Sequence, residues 1–240
     1  MFMAPVFSRR ELFSLSKIIF SFWFSGLLVT LVSVSVDLPS DRLGIVMAFA
    51  IEFFIGYLIG FCADLVVSVM EFAGALMDTQ AGLSVASLLD PSSGRNITLI
   101  SLILKWVALM AFLQIDGHHL VLSTLVQSYK VLPIGMTVNL AAGAFELVKT
   151  GSYVMMMGVQ LAMPILLVVF LIDFGMGMMN KISEQINVFQ LGFQVKPTIS
   201  LIIFLATAPG IVGSTSIIMG HSVDVLVQLL NALQSPVIVG

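Results

Sequence analysis

Residues Leu43 to Asp78 form one apolar run of more than thirty residues, and its only charges are Glu52, Asp64, Glu71 and Asp78. A helix of about 20 apolar residues already spans a bilayer, so this run is far longer than one crossing needs. A single Asp at the centre of a membrane helix costs about 2.5–3.5 kcal/mol on insertion scales. Asp64, Glu71 and Asp78 recur every seven residues. At about 100° per residue, seven steps drift by only about 20°, so the three acids share one stripe of a continuous helix. Gly56, Gly60, Gly74 and Ala75 let neighbouring helices approach it closely. Two readings follow. The acids turn into a bundle interior and pair with Lys105 or backbone donors, or the stripe faces other subunits or an aqueous lumen. The length of the run favours the second.

The remaining segments are also apolar. Ile18–Val36 is too long for the core of a signal peptide and no small-residue cleavage site follows it. Ile97–Ile115 is interrupted by Lys105 and broken at Asp116-Gly117-His118-His119; Leu132-Pro133-Ile134-Gly135 is a further turn. Thr150–Ile172 and Pro197–Val223 carry no charge, a polar connector Asn180–Lys196 lies between them, and Pro209-Gly210 is expected to break or kink the second. Across the chain 59% of residues are hydrophobic and 10% charged, against about 45–50% and 25% in soluble domains. Backbone polar groups in lipid must be satisfied within the segment, which helices achieve, and the ten-residue alternation of barrel strands is not visible. The expectation is an all-α, polytopic membrane protein with long hairpin-like helices, forming a single domain over residues 1–240. A net charge of −3 without a basic patch argues against nucleic acid. Cys62 is a lone cysteine expected to serve packing.

Little in the chain suggests catalysis. Asp116, His118 and His119 resemble a metal-binding set, but neighbouring histidines splay to different faces of a helix and the only other histidine is His221, so no metal is expected. There is no Gly-x-Ser-x-Gly elbow and no phosphate-cradling loop; Gly175-Met176-Gly177 reads as helix packing. No catalytic residue and no cofactor is assigned. Glu52, Asp64 and Glu71 would suit an ion-coupled secondary transporter, yet no internal inverted repeat supports that. A membrane enzyme centred on Asp116, His118 and His119 is a further rival.

Several motifs in order resemble one family. They are Gln80-Ala81-Gly82-Leu83-Ser84 followed by Asp90-Pro91, then Asp116-Gly117-His118-His119, then Ser128-Tyr129-Lys130-Val131-Leu132-Pro133-Ile134-Gly135. Farther on comes Gln185-Ile186-Asn187-Val188-Phe189-Gln190-Leu191-Gly192-Phe193-Gln194-Val195-Lys196, and near the start Ala4-Pro5-Val6-Phe7-Ser8-Arg9-Arg10. Together they resemble the R-type component of the flagellar export gate, whose relative in virulence type III secretion is the T-type component. Gly117-His118 and Leu191-Gly192-Phe193 tilt the resemblance to the flagellar branch.

The resemblance implies a subunit that joins P-type and Q-type subunits in a helical hetero-oligomeric gate of the flagellar basal body, in the bacterial inner membrane. Residues 1–150 would be the P-like half and 151–240 the Q-like half. Other export-apparatus membrane components and unfolded protein substrates would be its partners. A pore plug is implied at about Gln80–Asn96, with Gln80, Gly82, Leu83, Ser84, Val85, Leu88, Leu89, Asp90, Pro91 and Gly94 as its candidate residues. Gly82, Pro91 and Gly94 permit tight irregular backbone, and Leu83, Val85, Leu88 and Leu89 would seal the path by dewetting. Asp64, Glu71 and Asp78 become an inter-subunit acidic stripe, and Asn187, Phe189, Gly192 and Lys196 a cytoplasm-side entrance. The family also carries a hydrophobic helix ahead of the segment matching Ala4-Pro5; either translation starts upstream of Met1, or the contact with the first P-type subunit differs.

Overall fold

The computed structural model describes residues 14–31, 41–84, 99–134, 138–182 and 187–234. Among them there are six helices and no strand: α1 Ser14–Leu31, α2 Arg42–Ala81, α3 Leu99–Gln114, α4 Gly117–Val131, α5 Leu140–Ile182 and α6 Val188–Gln234. The all-α expectation holds. Three helices are long and apolar enough to cross a membrane, or four crossings if α3 and α4, bent by 64° across a short break, count as one broken span. At about 1.5 Å per residue, the 40, 43 and 47 residues of α2, α5 and α6 each reach about twice the ~30 Å thickness of a hydrocarbon core.

Among the described residues the second half is helical through its polar and proline-containing stretches. The polar connector Asn180–Lys196 is mostly helical, since α5 runs to Ile182 and α6 begins at Val188. Pro209-Gly210 does not end the helix, because α6 continues through Pro197 and Pro209 to Gln234. Pro209 removes one ladder bond, the one to the carbonyl four residues back, and hydroxyls nearby bond other carbonyls of the helix. Thr207 donates to the carbonyl of Ile203 at 2.8 Å and Ser214 to that of Gly210 at 2.9 Å.

The chain divides into two compact units. The first comprises Met1–Val66, Leu109–Ser152 and Ile218–Gly240; the second comprises Val67–Ala108 and Tyr153–Ile217. In the first, Leu58, Ile59, Cys62 and Leu65 of α2 and Leu226, Leu229 and Leu233 of α6 are buried. Here α5 and α6 meet antiparallel: the N–H of Asn139 donates to the carbonyl of Leu233 at 3.1 Å, and Lys149 to Gln228 at 3.3 Å. In the second, Met70, Ala73 and Met77 of α2, Ile100 and Leu104 of α3, and Ala162 and Ile165 of α5 are buried.

The outward faces are apolar too. Met155, Met163, Leu167, Phe170 and Phe174 on α5 are exposed, as are Ile202, Leu205, Val212 and Ile217 on α6. Contiguous apolar surface of that extent is not left to water; lipid or protein must cover it.

Candidate functional site

The site is built at the C-terminal end of α2, in the second unit. Gly82 stops the helix with a φ of 78°. Its N–H donates to the carbonyl of Thr79 at 3.2 Å, and the N–H of Leu83 to the carbonyl of Asp78 at 2.9 Å. This is a Schellman cap, the termination that a glycine in the left-handed region allows. It directs the chain out of the helix toward Ser84, the last residue described before position 99.

Asp78 then serves a second time. Its side chain has no exposed surface, and its carboxylate accepts the N–H of Ile100 at 3.1 Å and of Ser101 at 2.9 Å. These are orphan donors of the first turn of α3, which every helix must satisfy from outside. An acidic residue from another helix thus performs the role of an N-cap, with charge favourable at the positive end of the helix dipole. One residue therefore anchors both flanks of residues 85–98, by its carbonyl on one side and its carboxylate on the other. Two turns back along α2, Glu71 forms an ion pair with Lys105 of α3, and its backbone carbonyl accepts from Ser101 Oγ at 3.1 Å.

Beside this helix end lies a cleft of about 520 Å³. The last turn of α2 and Gly82 form one wall. Asp173, Met176 and Gly177 of α5 and Gly192, Phe193 and Lys196 of α6 form the other. Asp173 and Lys196 are paired at 2.5 Å across the two helices, so the mouth carries both charges in a neutral couple. Asn187 is the N-cap of α6, where its side-chain oxygen accepts the N–H of Gln190 at 3.2 Å.

The candidate residues distribute as follows. Gln80, Gly82, Gly192 and Lys196 come together on the cleft, although more than a hundred residues separate the two pairs. Leu83 and Ser84 are half-buried beside it. Val85, Leu88, Leu89, Asp90, Pro91 and Gly94 lie outside the described residues. Phe189 lies in the first turn of α6. Asp78 is fully buried, so any outward role of the stripe rests on Asp64 and Glu71, which keep exposed surface. The sequence reading missed Asp173, Met176, Gly177 and Phe193. For Asp173 a signal existed: it is the one acid between the apolar run of α5 and the methionines that follow.

One sequence argument fails on geometry. His118 and His119 do not splay apart, because they stand in the first turn of α4 after Asp116, which is left-handed at φ 56°. Their ring centroids are 4.4 Å apart.

Comparison with known proteins assigns the chain to a lineage. The family model described as "Bacterial export proteins, family 1" matches residues 1–222. The chain belongs to this family. It is 28% identical to the flagellar biosynthetic protein FliR of Pectobacterium carotovorum over 97% of its length and 88% of the relative's. It is 25% identical to FliR of Escherichia coli strain K12 over 96% and 88%. A virulence-type relative, the Yop proteins translocation protein T of Yersinia pestis, is 26% identical over 69% of this chain and 64% of that one. The family resemblance of the motifs is thereby confirmed. As a flagellar export family member with several membrane-length apolar helices, the chain is a multi-pass protein of the bacterial inner membrane and a component of type III export.

Proposed function

We propose that this chain is a pore-lining and pore-plugging subunit of the flagellar type III protein-export gate, passing unfolded protein substrates across the inner membrane. Residues 80–96 are the plug in this reading, and the cleft at Gln80, Gly82, Gly192 and Lys196 is where its root meets the entrance hairpin of α5 and α6. The observation that supports it most is the double use of Asp78. Anchoring both flanks of residues 85–98 on one buried residue, by its carbonyl and its carboxylate, would hold such a segment in place. The chain's own role is non-enzymatic, with transport energy supplied by other components.

P-type and Q-type subunits are the proposed partners, with residues 1–150 P-like and 151–240 Q-like. Two features support a protein surround. Apolar side chains are exposed along helices about twice the length of a bilayer core, and Asp64 and Glu71 show part of their surface on α2. The flagellar relatives match this chain over a larger share than the virulence-type one does, which favours the flagellar system.

Deletion of Leu83–Leu89 tests the plug. Cells carrying it should leak ions across the inner membrane while the subunit still co-purifies with its partners. Unaltered conductance with intact assembly would remove the plug reading.

A further inference from the structure

The corner between α3 and α4 carries three metal-type donors that the export role does not use. Asp116, His118 and His119 each offer one ligand atom, and these atoms all lie within 4.8 Å of one another. We propose that they form a binding site for a divalent transition metal of the zinc class.

Three observations carry this. First, the backbone already places the donors. Asp116 is left-handed, and its carbonyl accepts the N–H of His119 at 2.9 Å and of Leu120 at 3.1 Å. That locks the turn which turns both imidazoles to one side. Second, Asp116 occupies the N-cap position of α4, yet its side chain makes no capping hydrogen bond. An Asp at that position normally spends its carboxylate on an orphan N–H; this one does not. Third, Nδ1 of His118 is buried and lacks a hydrogen-bond partner among the described residues. A buried polar atom in that state is destabilising, and a metal bound through it would supply the missing partner.

The donor set selects the metal. Two imidazoles and one carboxylate suit zinc, cobalt, nickel or copper(II), whereas calcium and magnesium take oxygen ligands and copper(I) prefers sulfur. Bonds of about 2.0–2.2 Å place two ligands of one zinc ion at most about 4 Å apart, so closing the site needs side-chain movements of about 1 Å. The positive end of the α4 dipole opposes a cation, and the carboxylate offsets it. Three protein ligands leave a coordination position for water. All three donors flank the 64° bend between α3 and α4, so a bound ion would staple that corner.

The test uses the full chain, tag-free in detergent and stripped of metal, titrated with zinc chloride by calorimetry and with cobalt(II) by visible absorption. The expected result is one saturable zinc per chain and a cobalt band of nitrogen–oxygen ligation. His118→Ala and His119→Ala should each weaken zinc by at least about tenfold, Asp116→Asn should weaken it as well, and His221→Ala should leave it unchanged. Should the alanine variants lose helicity, modification of the wild-type chain by diethyl pyrocarbonate replaces them, with zinc expected to protect His118 and His119 and not His221. No saturable binding overturns the proposal. So does binding that survives the double His118→Ala, His119→Ala substitution, or modification that zinc does not slow.

Discussion

The carboxylate of Asp78 accepts the backbone N–H of Ser101 at 2.9 Å from a position with no exposed surface, joining the end of α2 to the start of α3. Charge-assisted hydrogen bonds of this kind are worth about 1.5–3 kcal/mol each to the local structure. Asp78→Asn keeps the size of the side chain and removes the charge. Amide exchange at Ile100 and Ser101 should accelerate on the order of 10- to 100-fold in that variant, measured by hydrogen exchange on the purified chain. Exchange at the wild-type rate would show that the first turn of α3 does not depend on this carboxylate.

Gly82 tests the cap on the other side. Among the described residues a Cβ there meets nothing within 4 Å, and the constraint they show is the φ of 78°. An L-residue in the left-handed region costs about 1–2 kcal/mol, and Asn bears it better than most. Gly82→Ala should lower the thermal midpoint of the purified chain, and Gly82→Asn should lie between Ala and wild type. Equal midpoints for the three would contradict the left-handed cap.

At Gly74 the constraint is space. A Cβ at that position would stand 2.7 Å from the backbone nitrogen of Ser101, and backbone cannot rotate away. Gly74→Ala forces α2 and α3 apart and should cost about 1–3 kcal/mol, in the range of overpacked cores. Gly56 is the control, since among the described residues its Cβ would meet nothing within 4 Å. Gly56→Ala should be neutral or stabilising in the isolated chain, as Ala favours helix by about 1 kcal/mol over Gly. A Gly56→Ala defect that appears only in the assembled complex would mark Gly56 as a contact with another subunit.

The Glu71–Lys105 pair separates two environments. Each side chain keeps about a third of its surface exposed, at 36% and 33%. In contact with water such a pair contributes at most about 1 kcal/mol, and Lys105→Met would be mild. With protein or lipid around it, Lys105→Met strands a carboxylate, and the double variant with Glu71→Met should be more stable than the single one. The proposed gate predicts the second pattern, read as the thermal stability of the assembled complex for both single variants and the double. A mild single variant with no gain in the double would place the pair against water.

Much of this molecule could be read along the chain. Apolar runs interrupted by rare charges demand helices because a backbone in lipid has no other donor or acceptor. The seven-residue spacing of Asp64, Glu71 and Asp78 set them on one face before any contact was known, and the order of the motifs pointed to the family. The break at Asp116 was legible as well, from Asp-Gly in an apolar segment.

What the chain could not disclose is which partner each polar group would find. Lys105 was a visible candidate for Glu71, but Asp78 could be matched to Ile100 and Ser101 only once α3 was packed against α2, since any helix start offers the same orphan donors. Asp173 and Lys196 are likewise ordinary residues in sequence and become a pair because α5 and α6 run antiparallel beside the end of α2. Periodicity is a property of neighbours in the chain and dictates the faces of helices. Hydrogen-bond and ion-pair partners depend on separations of a few ångströms between residues far apart in sequence, which only the packed helices decide.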